Sequence, residues 1–353
     1  MERDKQPGIQ IARAVAALTI VYYHSWVSIT RFPEGTAHPI PFLSVYGWLG
    51  VDFFFAISGY VICLVVNRDT FAVWLFLIKR VFRLYPLWLL MLSIFAATAW
   101  LWRGLLPTET LGFFLYSATL GLTDGFPFYN IGWSLQHEMV FYLMAAIIAP
   151  LFGVAGLIAA LLTSYLAFQF IDMPWYLATL ANHHGEFLAG ALAFVARDKL
   201  ARFGFWIPAV IGAPLLAFFA IAEKSQLLPF ALFFLIVAFA NIKTISRWAV
   251  LLGDASYSLY LIHPMVFFTA SAVVSKFPGL PLWTQEPIRF ACILLAVGLY
   301  FAELGIFREK GNKIWQWACQ SRQSKGCSFT SADLDDAGTP TIHLSSSSGC
   351  TQT

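Results

Sequence analysis

Charged residues are scarce in this sequence, and their scarcity excludes most soluble folds. Only 12% of the 353 residues are charged, whereas a soluble domain carries about 25%. Hydrophobic residues make up 59% of the chain, and the mean hydropathy is +0.70. A soluble protein of this size could not cover so much apolar surface, so the composition predicts an all-α polytopic membrane bundle. The net charge of +3 comes from loop residues, and no nucleic-acid partner is expected.

Cysteine pairs and metal-binding motifs are also lacking. The five cysteines form no C-x-x-C pair, and His137-Glu138 is not followed by the second histidine of an H-E-x-x-H helix. We therefore expect neither a disulfide framework nor a metal site. The first apolar run contains Arg13 and lacks a small-residue cleavage site, so no cleaved signal peptide is expected.

Apolar runs of near-spanning length recur along the chain. A membrane-spanning helix needs about 20 predominantly apolar residues. A run at 109–122 is short for a span, but ten others qualify. These ten runs cover residues 9–29, 44–66, 84–102, 131–150, 153–171, 177–196, 206–222, 227–241, 250–271 and 286–306.

The distribution of positive charge decides whether the short run at 109–122 crosses the membrane. If it does not, and the N-terminus is cytoplasmic, the inner segments hold 15 of the 22 lysines and arginines, the outer segments 5 and the tail 2. If it does, the basic clusters at 197–202, 243–247 and 308–313 all move outside. Because lysine and arginine concentrate in cytoplasmic loops, the sequence predicts about ten spans with both termini cytoplasmic. Residues 104–130 then form an outer segment that lies on the membrane or dips into it.

The composition changes near residue 315. Residues 1–314 form the predicted transmembrane domain, and no soluble domain is expected. Residues 315–353 are rich in serine, threonine and glycine and have too few apolar residues to fold alone. We predict that they form a disordered cytoplasmic tail.

Two ionisable residues share one face of the first apolar run, which includes AALTIVYYHSW. Arg13 and His24 are eleven residues apart, which is nearly three helical turns and about 16 Å along the axis. Charged groups at membrane depth are rare and often functional. An arginine that reaches lipid phosphates and a histidine bonded to a backbone carbonyl would explain the spacing equally well.

The segment KRVFRLYP, residues 79–86, enters the third run from the predicted cytoplasmic side. Arg80 and Arg83 share a helix face, and the backbone N–H groups of a helix N-terminus also favour anions. Guanidinium groups bind phosphates well. A phosphate-bearing ligand such as a coenzyme A thioester is one hypothesis, and plain positive-inside anchoring is the other.

Two more segments place polar groups inside apolar runs. GVDFFFAISGY, residues 50–60, carries Asp52 and a Ser-Gly pair whose small size permits close helix packing. NIGWSLQHEMVFY, residues 130–142, places Ser134 and Glu138 one turn apart on one face. Structural hydrogen bonds between helices would explain either segment taken alone.

A third polar segment opens the ninth run. GDASYSLYLIHP, residues 253–264, places Ser256, Tyr260 and His263 at positions i, i+4 and i+7. These positions form one polar stripe along a helix. The stripe is compatible with simple interhelical hydrogen bonding or with the wall of a reaction site.

Taken in chain order, these segments resemble the acyltransferase 3 family of integral membrane acyltransferases, and within it the ExoZ-type exopolysaccharide acyltransferases. The resemblance covers roughly residues 8–306 and implies transfer of an acyl group, usually acetyl, from acyl-CoA to a hydroxyl, typically on a sugar. One departure is the closing AELGIFREK, which lacks a proline soon after Glu303. The matching pieces are IQIARAVAALTIVYYH, GVDFFFAISGYVI, KRVFRLYPLW, WSLQHEMVFY, GEFLAG and LGDASYSLYLIHP.

The resemblance also implies roles for single residues. It makes His24 the catalytic base and Arg13 its same-helix partner, and we place Glu138 with them. It assigns Arg80 and Arg83 to binding of the donor, acetyl-CoA, which is a co-substrate rather than a resident cofactor. Support around the cavity then falls to Asp52, Ser134, Ser256, Tyr257, Tyr260 and His263.

The implied chemistry suits these residue types. A neutral imidazole can take the proton of a sugar hydroxyl near pH 7, and Tyr260 or a backbone N–H could stabilise the charge that develops on the thioester carbonyl. The CoA phosphates would bind on the inner face and the pantetheine arm would reach His24. The expected partners are acyl-CoA, a glycan or lipid-linked glycan acceptor, and the lipids of the cytoplasmic (inner) membrane.

Several alternatives stay open. The acceptor could be a lipid-linked saccharide, a peptidoglycan-type sugar or a small hydrophobic metabolite, and the acyl group could be succinyl. A transporter or channel is an alternative because intramembrane charges also mark ion pathways, although no inverted repeat or broken-helix signal is visible. A non-catalytic scaffold would tolerate replacement of His24.

Overall fold

Helices make up almost all of the regular structure. The computed structural model describes residues 6–28, 39–69, 71–106, 108–222, 225–274, 276–277 and 281–303. These ranges contain no strand, which confirms the predicted all-α class, and the predicted tail at 315–353 lies outside them. The α-helices in these ranges are α1 (Pro7–Ser28), α2 (Pro41–Tyr46), α3 (Gly50–Val66), α4 (Val73–Arg103), α5 (Leu111–Ala118), α6 (Trp133–Phe170), α7 (Trp175–Ala181), α8 (His184–Leu200), α9 (Trp206–Ala222), α10 (Leu228–Ala240), α11 (Arg247–Asp254), α12 (Ser256–Val274) and α13 (Gln285–Glu303).

Five of the described segments are long and apolar enough to cross a membrane. They are Pro41–Val66, Val73–Trp102, Asn130–Phe170, Ser256–Val274 and Gln285–Glu303. Two shorter helices, α9 and α10, are also strongly apolar. Large apolar side chains on the outer faces of these helices are exposed, as expected where lipid replaces water; examples are Ile147, Phe152, Phe170, Val210, Ile221 and Phe230.

One long helix replaces two of the predicted spans. Helix α6 covers both 131–150 and 153–171, but Gly153 within it has φ 59° and ψ −159°, a conformation that glycine alone adopts readily. Pro150 lies just before the break and lacks the N–H of a regular helical residue. A straight helix of 38 residues would be about 57 Å long, nearly twice the apolar thickness of a bilayer. The break therefore divides α6 into two helical arms.

The segment between α4 and α6 contains only a short helix. Helix α5 has eight residues and is about 12 Å long, too short to cross the membrane core. The end of α5 is held against α4, because Trp88 donates its indole N–H to the Ser117 carbonyl at 3.3 Å. The backbone N–H of Phe128 donates to the Ser117 hydroxyl at 2.9 Å. This anchored segment positions residues 126–133 beside the bundle.

Helices α3 and α8 approach each other so closely that their backbones touch. A side chain at Gly59 would collide with the backbone of Phe187, and one at Gly190 would collide with the backbone of Ala56. The small residues predicted to allow close packing thus do so at Gly59. The two helices run parallel, and their first turns lie side by side.

The buried core lies where α3, α6 and α8 meet. Phe141 and Phe187 stack with ring centroids 4.2 Å apart, and both are almost fully buried. Residues 5–300 form one compact unit that contains this core. Of the second unit, Met1–Asp4 with Phe301–Thr353, the structure describes only residues 301–303, the last residues of α13.

Candidate active site

A cavity of about 800 Å³ opens between α1, α3, α4, α12 and the segment at 126–133. Its volume falls within the range of about 300–1,000 Å³ that small-molecule sites occupy. The walls are mainly aromatic, with a few polar side chains turned towards the space. The polar groups include His24, Asp52, Asn130, His183 and Tyr260, and the aromatic ones include Trp48, Phe95, Tyr129 and Trp133.

Two histidines from different helices lie together at this cavity. The ring centroids of His24 on α1 and His263 on α12 are 5.0 Å apart, with an angle of 38° between the rings. His263 is fully buried, and its Nδ1 lies 3.2 Å from the carbonyl oxygen of Leu259. A carbonyl only accepts, so Nδ1 carries the proton and Nε2 is left with a lone pair. Nε2 has no hydrogen-bond partner, which makes it an available acceptor beside His24.

A hydroxyl pair forms the neighbouring part of the wall. The hydroxyl oxygens of Tyr260 and Ser134 are 2.6 Å apart, and the Tyr260 hydroxyl lies 3.1 Å from the carbonyl oxygen of Ile131. The Ser134 hydroxyl lies 3.4 Å from the same carbonyl. The two hydroxyls thus share one carbonyl. Because the two hydroxyls are bonded to each other, one proton lies between them and the other reaches the Ile131 carbonyl, so the Tyr260 proton points into the cavity only after that hydroxyl turns away from both acceptors.

Tyr129 sets the position of α12 relative to this wall. Its hydroxyl donates to the carbonyl oxygen of Leu261 at 2.8 Å. Burial raises the pKa of the Tyr129 phenol, so the hydroxyl stays protonated and remains a donor. This bond holds the stretch of α12 that carries Tyr260 and His263.

Across the cavity, an imidazole lies between two carboxylates. His183 Nδ1 is 3.4 Å from Asp52 Oδ1 and 3.9 Å from Glu186 Oε1. Asp52 lies in the first turn of α3 and Glu186 in the first turn of α8, where the partial positive charge of the helix end stabilises carboxylates. The ring of His137 on α6 packs 4.8 Å from that of His183. The close packing of α3 and α8 therefore brings the two acids together.

The predicted arginines form a separate group. The Arg80 guanidinium lies 5.3 Å from the ring centroids of both Phe76 and Tyr142, and its Nε has no hydrogen-bond partner. Glu138 accepts a hydrogen bond from Ser58 at 2.9 Å and another from Tyr142.

Arg13 belongs to this same group. It interacts electrostatically with Arg83, Asp254 and Glu138. None of Arg13, Arg80, Arg83 and Glu138 is among the described residues that line the cavity.

The structure thus divides the predicted site residues between two places. His24, Asp52 and Tyr260 line the cavity, with Ser134 and His263 bonded to or packed against them. Arg13 lies about 16 Å along α1 from His24, so the predicted same-helix partner faces the arginine group instead. Two residues predicted to line the cavity make structural hydrogen bonds to the backbone instead. Tyr257 donates to the Leu84 carbonyl and Ser256 to the Gly253 carbonyl, both at 2.7 Å.

Sequence reasoning missed several residues of the cavity. His183 precedes GEFLAG in an apolar region, and the adjacent pair His183-His184 was the available signal. Tyr129 and Trp133 flank the segment NIGW but carry no charge, so they did not stand out among the other aromatic residues.

Comparison with known proteins adds one finding. A family model described as an acyltransferase domain, that of the acyltransferase 3 family, matches residues 6–302. No curated protein and no solved structure matches the chain. The matched range contains every residue of the cavity and of the arginine group.

Proposed function

The chain belongs to the acyltransferase 3 family, whose model covers residues 6–302, and from this membership we propose that it moves an acetyl group from cytoplasmic acetyl-CoA to a sugar hydroxyl. The acceptor is an exported polysaccharide or its lipid-linked precursor, as in the ExoZ-type enzymes that the sequence resembles. The observation that carries the proposal is the 800 Å³ cavity with His24 in its wall. Family membership also favours acyl transfer over the transporter and scaffold alternatives.

We further propose that the chain crosses the cytoplasmic membrane about ten times with both termini cytoplasmic. Described helices overlap all ten predicted runs, with α6 serving two of them. On this arrangement α3 and α8 enter from the outer face. The cavity then lies towards the outside, where an acceptor arrives, and the arginine group lies towards the cytoplasm, where acyl-CoA is made.

The transfer itself requires one base. His24 takes the proton of the acceptor hydroxyl while that oxygen bonds to the thioester carbon. The C–S bond then breaks, and His24 returns the proton to the departing CoA sulfur. The products are the sugar ester and CoA, and the imidazole is regenerated neutral.

Tyr260 is the proposed donor to the oxyanion of the tetrahedral intermediate. Its hydroxyl lies 2.6 Å from that of Ser134 and 3.1 Å from the Ile131 carbonyl, and it would turn away from these acceptors to donate to the oxyanion. A hydrogen-bond donor aimed at a developing negative charge stabilises the transition state. The mainly aromatic walls lower the local dielectric constant, which strengthens that interaction.

The arginine group is the proposed site for the CoA phosphates. Arg80 has an unpartnered Nε, and its guanidinium is held in position by the rings of Phe76 and Tyr142. A guanidinium that is already positioned loses little freedom when it binds phosphate. Along the axis of α1, Arg13 lies about 16 Å from His24. An extended pantetheine arm can bridge that separation.

A comparison of His24→Ala with the wild type tests the proposal. Both proteins are purified in detergent, binding of labelled acetyl-CoA is measured, and CoA release is followed with a mixed glycan acceptor pool. We expect retained binding and a loss of transfer of about 10²–10⁴-fold, the usual contribution of a general base. His184→Asn is the matched control, since His184 Nδ1 bonds to Ser164 at 2.7 Å away from the cavity. Equal transfer by His24→Ala would remove His24 from the mechanism.

A further inference from the structure

The group formed by Asp52, His183 and Glu186 places two acidic side chains beside one imidazole. Its two carboxylates come from α3 and α8, and their only ion-pair partner among the described residues is His183. With both carboxyl groups ionised, even a protonated imidazole would leave one negative charge uncompensated in a buried place. Buried charge without compensation is costly, particularly inside a membrane.

The polar atoms of this group are also short of hydrogen bonds. Glu186 is 8% exposed, and its Oε2 has no hydrogen-bond partner. His183 Nδ1 has none either, because its approach to Asp52 is close but poorly aligned. Buried polar atoms that lack partners commonly mark a missing ion or water.

The spacing of these atoms suits a small cation. One ligand atom from each of the three residues lies within 4.8 Å of the other two, and His183 Nδ1 is 3.4 Å from Asp52 Oδ1. A divalent cation bound at about 2.0–2.2 Å holds neighbouring ligand atoms about 3–3.5 Å apart. A small inward movement of the Glu186 side chain, whose Oε1 is 3.9 Å from His183 Nδ1, would bring the three ligand atoms closer to this spacing.

We propose that Asp52, His183 and Glu186 bind a divalent metal ion of the Zn²⁺ type. Imidazole nitrogen and carboxylate oxygen together suit such ions, and each of the two acids lies in the first turn of its helix. Three protein ligands leave a coordination position open, as at catalytic zinc sites. Asp52 and His183 line the cavity, so the open position faces the space in which His24 lies.

A second residue supports this binding mode. When Nδ1 of His183 binds the ion, Nε2 must carry the ring proton. The Asn182 amide lies 3.3 Å from Nε2, and a half-turn of that amide places its oxygen to accept the proton. Metal-bound histidines usually donate their other N–H in this way.

The sequence predicted no metal site, because no short ligand motif is present. The ligands come instead from two distant segments, GVDF and HHGEF, which only the packing of α3 on α8 brings together. If the proposed acyl transfer is correct, an acceptor hydroxyl is the natural fourth ligand. Metal binding itself does not depend on that function.

The test measures metal directly, so it can fail or succeed whatever the enzyme's activity. The full chain is purified with an affinity tag free of histidine, and its zinc content is determined by plasma mass spectrometry. A chelator then removes the metal, and Co²⁺ is titrated while its visible absorption is followed. We expect about one Zn²⁺ per chain and a Co²⁺ spectrum that Zn²⁺ abolishes.

Paired variants locate the site. His183→Asn, Asp52→Asn and Glu186→Gln should each weaken Co²⁺ binding by more than the roughly 10–100-fold that loss of an outer-shell partner costs. His184→Asn should bind Co²⁺ as the wild type does, because its ring bonds to Ser164 instead. A wild type that neither retains Zn²⁺ nor binds Co²⁺ would overturn the proposal, and this result needs no variant to fold. Equal Co²⁺ binding by the folded His183→Asn and His184→Asn proteins would overturn it as well.

Discussion

The imidazole of His263 lies against that of His24, with their ring centroids 5.0 Å apart. One histidine comes from the first helix and the other from the twelfth, and the buried one has its tautomer set by the Leu259 carbonyl. The pair therefore combines a half-buried imidazole at the cavity wall with a fixed acceptor nitrogen behind it. This relationship suggests that His263 positions the ring of His24.

Replacing His263 with phenylalanine tests that positioning role. His263→Phe keeps a ring in the buried site but removes the acceptor Nε2. We expect kcat to fall about 10-fold, which corresponds to about 1.4 kcal/mol of lost positioning in the transition state, while KM for acetyl-CoA stays unchanged. Steady-state kinetics on the purified protein provide the measurement. An unchanged kcat would show that His263 only fills space.

Removing the Tyr260 hydroxyl tests the proposed oxyanion donor. Tyr260→Phe should lower kcat by about 10²–10³-fold, as loss of an oxyanion-hole donor does, with little effect on acetyl-CoA binding. Tyr129→Phe is the matched control, because the Tyr129 hydroxyl is bonded to the Leu261 carbonyl. Tyr129→Phe should lower the thermal unfolding temperature but leave kcat nearly unchanged. If both variants show the same small loss of kcat, the Tyr260 hydroxyl has only a structural role and does not donate to the oxyanion.

Methionine in place of the clustered arginines tests the phosphate site. Arg80→Met and Arg83→Met should each weaken acetyl-CoA binding about 10–100-fold, the value of a hydrogen bond to a charged group of about 1.5–3 kcal/mol. Arg197→Met provides a comparison, since the Arg197 guanidinium also packs on an aromatic ring, 4.0 Å from the centroid of Phe194. Equilibrium binding of labelled acetyl-CoA is the readout. Unaltered affinity in the two test variants would move the donor site elsewhere.

The contact between α3 and α8 can be tested with a single methyl group. In Gly59→Ala the new Cβ would overlap the backbone of Phe187, so we expect a loss of stability of about 1–3 kcal/mol, typical of overpacking. Gly298→Ala on α13 adds the same methyl group where no atom lies within 4 Å, and it should be neutral or slightly stabilising because alanine favours helix. Thermal unfolding in one detergent compares the two. A tolerated Gly59→Ala would mean that the two helices can separate without cost.

Much of the architecture could be predicted because it depends on local properties. Long apolar runs must become helices in lipid, where every backbone polar group needs an internal partner. The break in α6 was foreseen as a gap between two apolar runs, and the conformation of Gly153 is its physical cause. The shortness of the run at 109–122 likewise anticipated a helix too short to cross the membrane.

The composition of the site was only partly predictable. His24, Asp52 and Tyr260 were identified because a polar group in an apolar run is conspicuous. The family resemblance paired Arg13 with His24, and helical periodicity placed both on one face, but neither describes which other helices surround them. Arg13 interacts electrostatically with residues of α4, α6 and α11, and of these Glu138 and Asp254 attract it whereas Arg83 repels it.

The sequence by itself determined the helical class, the apolar runs and the family of this protein, since each follows from residue types at short spacing. Tertiary structure alone decided which polar groups share a space. His24 meets His263, and Asp52 meets His183 and Glu186, because glycine contacts and buried tyrosine hydrogen bonds set how α1, α3, α8 and α12 pack. Contacts between distant segments depend on how well their surfaces fit together. The spacing of residues along the chain does not show that fit.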